Sequence, residues 1–60
     1  MDYTEGSIIA YYAFGNEYRE VLVETKEDDV KNGQPGFDGT TTDGLNVWGY
    51  DSQIITVIRK

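Results

Sequence analysis

An all-β fold, built as a small barrel of four or five antiparallel strands with one short helical turn, is what this sequence predicts. Three observations carry it. Runs of β-branched and aromatic residues are strand-length and are bounded by Gly, Asn and Asp punctuation. At least one run, Arg19 to Thr25, alternates cleanly with period two. The last third, Leu45 to Ile58, holds the only tryptophan and the densest β-branched run, and reads as strand, tight turn, strand. The earlier strands need such a surface to close on.

Taken in order, Met1 to Gly6 is polar and is expected as a frayed lead-in. Ser7 to Phe14 is the first strand. Both of its alternating sets are apolar, Ile9, Tyr11 and Ala13 on one face and Ile8, Ala10, Tyr12 and Phe14 on the other, so it is covered on both sides or bends between two surfaces. Gly15 to Tyr18 reverses the chain through a loop of about 3–5 residues. In the next strand Val21 and Val23 point one way, and Glu20, Leu22 and Glu24 the other.

Thr25 to Gly33 changes character. Thr25 with Asp28 resembles a capping box, Glu27, Asp28 and Asp29 suit the first turn of a helix, and Lys31 and Gly33 suit its end. One or two helical turns pinned by Val30 are expected, with a plain acidic loop as the alternative. Gln34 to Gly44 is read as a long turn-rich loop, since Pro35-Gly36, Asp38-Gly39 and Asp43-Gly44 are turn signals. A loop of that length in so small a domain is usually functional or hides a short element, and Phe37 to Thr42 is the candidate for a brief edge strand.

Leu45, Val47 and Gly49 share one face of the following strand, and Trp48 and Tyr50 the other. Asp51-Ser52-Gln53 is one tight turn of 3₁₀ form, and Ile54 to Ile58 closes the fold, with Ile55 and Val57 completing the barrel. Trp48 poses the main question. A domain this small has few other large residues to fill its core, yet alternation sends the ring outward unless Gly49 marks a bulge.

Sixty residues make one domain, residues 1–60, of marginal stability for its size. With no Cys and no His, disulfides and a structural zinc site are excluded. Eleven acids against five bases give a formal charge of −6, which disfavours direct nucleic-acid or anionic-membrane binding and suits a basic protein partner. No apolar run reaches the roughly 20 residues of a membrane span. Asp2 and Glu5 stand where a signal peptide carries its bases, so a cytoplasmic location is expected.

The order of elements is similar to that of SH3-like small barrels, including Tudor-type and KOW-type domains. The residues that carry the likeness are Val47-Trp48-Gly49-Tyr50, the turn Asp51-Ser52-Gln53 and Ile54-Ile55-Thr56-Val57. The acidic loop and paired tryptophan of peptide-binding SH3 domains are missing. Lys31 to Gly39 also resembles a segment of short uncharacterised bacterial and phage proteins.

No catalytic residues are assigned. The commonest general bases and the thiol nucleophile are absent, and Ser7 and Ser52 have no imidazole to activate them. Asp38 to Gly44 lacks the spaced acids and terminal Glu of an EF-hand, so no metal and no cofactor are expected. The expected function is a non-catalytic module binding a protein partner. Its contacts are Phe37 on the 34–44 loop and the aromatic face of Trp48 and Tyr50, with Leu22 beside it. Two alternatives stand beside this. Glu20 and Glu24, about 13 Å apart on one strand face, form a negative stripe that would mimic DNA phosphates towards a nucleic-acid-binding protein. A homodimer formed through the apolar patch or the strand edges is the other.

Overall fold

The computed structural model describes residues 2–60; Met1 lies outside the described residues. The chain folds into five antiparallel strands in one sheet: β1 (Ile8–Ala13), β2 (Glu17–Lys31), β3 (Gln34–Thr41), β4 (Asn46–Tyr50) and β5 (Ile54–Arg59), with a single 3₁₀ turn at Asp51–Gln53. The strand order is β4-β3-β2-β1-β5. The all-β expectation holds, as do the first hairpin, β4, the 3₁₀ turn and β5. The hydrogen-bonded ladder does not close into a barrel: β4 and β5 end the sheet as its two edges.

The sheet is nonetheless strongly curled. Strands β1 and β4 are three ladder steps apart, about 14 Å if the sheet were flat. Yet a Cβ built on Gly49 would lie 2.9 Å from a ring carbon of Tyr11. The core fills the hollow of this curl with Ile9, Tyr11, Val21, Val23 and Phe37, each 0–1% exposed, and with Tyr3. Phe37 sits between two edge-on rings, Tyr11 at 5.0 Å and Tyr3 at 6.1 Å. Such edge-to-face pairs are favoured by the ring quadrupole. Val57 and Ile54 pack against this cluster from β5, while Ile55 is exposed, so the inward residue is Ile54 rather than Ile55.

The largest departure from expectation lies between residues 25 and 41. Neither helix nor acidic loop forms there. The second strand runs unbroken to Lys31, turns through Asn32 (φ 57°) and Gly33 (φ 73°), and returns as β3. Two consecutive left-handed residues are what a two-residue type I′ hairpin requires, and Asn-Gly is its preferred pair. Asp29 acts as part of this turn, its carboxylate accepting the Gly33 N–H at 2.8 Å. The register slips twice, once at Glu24 and once between Glu27 and Lys31. The second slip leaves Asp28, Asp29 and Val30 opposite Pro35, a residue with no N–H for the ladder, which a bulge accommodates. What reads as a loop at Gln34–Thr41 is a strand with β2 and β4 on either side. Only 42–45 remains a loop, tied by Thr41, whose hydroxyl accepts the Leu45 N–H at 3.0 Å and donates to the Asp43 carboxylate.

The N-terminal lead-in is not frayed in residues 3–7. Tyr3 is 5% exposed, and its hydroxyl lies within hydrogen-bond distance of the Gly36 carbonyl (3.1 Å) and the Asp51 carboxylate (2.5 Å). Burial and the acceptor Asp51 raise the Tyr3 phenol far above its ordinary pKa. Lys26 holds the same residue from outside, donating to the Tyr3 carbonyl at 2.9 Å with its ammonium over the ring. One aromatic residue thus joins the lead-in, β2, β3 and the 3₁₀ turn.

Candidate functional site

Trp48 lies outside the core. The β3–β4 register is regular, pairing Val47 with Gly39, Trp48 with Asp38 and Gly49 with Phe37. No bulge at Gly49 turns the ring, and alternation places Trp48 and Tyr50 on the outer side. Gly49 is bare for a different reason: the rings of Phe37 and Tyr11 both press against its Cα. Trp48 is 36% exposed.

The ring has company the sequence does not announce. Phe14, in the turn after β1 and 63% exposed, lies 5.5 Å from Trp48 and 6.2 Å from Tyr50, and Trp48 and Tyr50 are 5.4 Å apart. Three rings, two from β4 and one from the turn after β1, therefore pack on each other at the surface. Alternation along the first strand puts Phe14 in the set opposite Tyr11; only the curl brings it to β4. Tyr50 is anchored by its backbone, which donates to the Gln53 side chain at 2.8 Å, and Gln53 donates in turn to the Tyr12 carbonyl at 2.8 Å. The 3₁₀ turn thus pins β4 against β1 and holds the cluster in place.

A shallow open cleft runs along one side of Trp48, lined by Glu27, Lys31 and Asp38 among others. The Lys31 ammonium stands over the indole at 5.4 Å from its centroid, within cation–π range. Glu27 and Asp38 are close enough for their carboxyl groups to share a hydrogen bond, and this holds the Glu27 pKa above its ordinary value; partial burial and the charges of Asp38 and Asp29 push the same way. The folded state binds the Glu27 proton more tightly than the unfolded chain, so this contribution to stability is complete below the ordinary pKa of 4.5 and is lost as pH rises through the raised value. Thermal melts from pH 4.5 upward should show stability falling with pH in wild type, with a shallower fall in Glu27→Gln. Equal slopes in the two proteins would show that the carboxyl pair does not form.

The remaining expected contact residues disperse. Phe37 is the centre of the core at 0% exposure, so it is corrected from a contact residue to a packing residue. Leu22 is 45% exposed, but it pairs with Ile8 and Thr40, whereas the rings packed on Trp48 are Phe14 and Tyr50. Glu20 accepts the Tyr18 hydroxyl at 2.9 Å and Glu24 accepts the Thr40 hydroxyl at 3.1 Å, with exposed Leu22 between them. The negative stripe is thus interrupted by an apolar side chain, and Glu24 sits in the bulge. Tyr50 and Trp48 come together as expected. A second cleft, between residues 17–20 and 41–45, contains Arg19, whose guanidinium pairs with Glu17 at 3.1 Å. Among the described residues no group of three or more acids is arranged to hold a metal ion, and no helix is long and apolar enough to cross a membrane. Compared with protein-family models, curated proteins and solved structures, the chain matches none.

Proposed function

We propose that this chain is a non-catalytic interaction module that binds a protein partner through the Phe14–Trp48–Tyr50 surface. The observation that carries the reading is that three large rings pack on one another outside the core, with Trp48 36% and Phe14 63% exposed. Tryptophan and tyrosine are the residues most enriched at interface hot spots. A sixty-residue chain that keeps its only tryptophan out of its core gives up apolar burial it has little of to spare. The absence of His and Cys from the sequence supports a non-catalytic role. The hairpin, the single tight turn before the last strand and the curled sheet support kinship with SH3-like domains, in a form whose ladder stays open.

The test is affinity capture on immobilised wild type and Trp48→Ala, with circular dichroism confirming that the variant remains folded. Wild type is expected to retain a partner in about 0.5 M salt, where exposed charges are screened, and Trp48→Ala to lose it. Capture of the same partners by both proteins would overturn the reading. Capture that vanishes in salt and is indifferent to Trp48 would favour acid-led mimicry of nucleic acid instead.

A further inference from the structure

We propose that the cleft beside Trp48 is a seat for an arginine side chain of the partner protein, and that the chain's own Lys31 occupies that seat in the free state. This rests on the protein-binding reading and specifies its chemistry. The indole face already carries a cation, the Lys31 ammonium at 5.4 Å. Lys31 is a weak occupant: it is exposed, it ends β2 at the hairpin turn, and a lysine ammonium is compact and strongly hydrated.

Two carboxylates line the same cleft, and the sheet register places one of them, Asp38, directly opposite Trp48. Among the described residues the one ion pair is Arg19 with Glu17, so neither Glu27 nor Asp38 has a base within 4 Å. Asp38 is instead the main cause of the raised Glu27 pKa, through a side-chain hydrogen bond and through its charge. A guanidinium suits this site better than an ammonium does. Its plane stacks on the ring while its forked N–H groups reach carboxylates in pairs. The formal charge of −6 attracts such a partner over longer range.

The probes are hexa-arginine and hexa-lysine peptides, titrated at low salt and followed by the fluorescence of Trp48, the only tryptophan of the chain. Hexa-arginine is expected to give a saturable change and to bind more tightly than hexa-lysine. Lys31→Ala should bind it about two- to fivefold more tightly than wild type, the worth of one exposed cation–π contact. Lys60→Ala, which removes the same charge at the chain end, should stay within about twofold of wild type. Asp38→Asn should weaken binding. Equal affinity for the two peptides, equal shifts for Lys31→Ala and Lys60→Ala, or no saturable change would each overturn the arginine seat. Partner loss by Trp48→Ala in affinity capture, combined with no response to hexa-arginine, would remove this inference and leave the module reading standing.

Discussion

Replacing Phe37 with alanine is expected to unfold the domain at ambient temperature. The side chain is fully buried, between the rings of Tyr3 and Tyr11, and its neighbours come from the N-terminal segment, β1 and β4. Truncating a buried phenylalanine costs about 3–5 kcal/mol in transfer and cavity terms. A domain of sixty residues has a total of about 3–9 kcal/mol to lose. Circular dichroism and a thermal melt decide the matter. Phe37→Leu, which fills part of the space, should fold with a lowered Tm. If Phe37→Ala melted like wild type, the residue would belong to a surface loop and not to the core between Tyr3 and Tyr11.

Gly39→Ala is expected to be nearly as damaging, for a steric reason. A Cβ at this position would stand 2.1 Å from the Leu22 carbonyl oxygen and 2.8 Å from a Val21 methyl group. The obstacle is backbone, next to the bulge at Glu24, and it cannot move without parting β2 from β3. A loss of about 3 kcal/mol is expected, the upper end of the range for overpacking. Gly49→Ala meets only ring edges, of Tyr11 and Phe37 at 2.9 Å, and should cost less. Chemical denaturation of the two variants gives the order directly. A milder effect at Gly39 than at Gly49 would mean that the β2–β3 ladder yields more easily than the aromatic core.

Phe37 and Gly39 lie in the stretch where the sequence misleads most. Glu27, Asp28 and Asp29 have poor strand propensity and good helix-start chemistry, and Gly33 serves a helix end as readily as a hairpin. Their strand state comes from pairing with β3, a contact between segments that local preference does not contain. The Asn32-Gly33 pair is the signal that would have found the hairpin. The alternation that would confirm it is broken, because each register slip changes which residues face inward. Phe37 reads as a loop residue for the same reason: Pro35, Gly36 and Gly39 look like turn chemistry, but two of the three are bare so that other chain can pack against them.

By itself the sequence determined the all-β class, the first hairpin, the 3₁₀ turn and the two strands that flank it, since each follows from alternation or turn chemistry within a few residues. It left Trp48 open between a bulge at Gly49 and an outward ring, and the regular β3–β4 register decided for the outward ring. The tertiary structure alone decided what surrounds that tryptophan. Phe14 is thirty-four positions away in sequence and Lys31 seventeen, and they meet the indole because one sheet, curled around the rings of Tyr11 and Phe37, brings the turn after β1 and the end of β2 to the same edge strand. Curvature is set by how buried rings and bare glycines fit together across strands, and that fit is a property of the packed sheet rather than of any one segment.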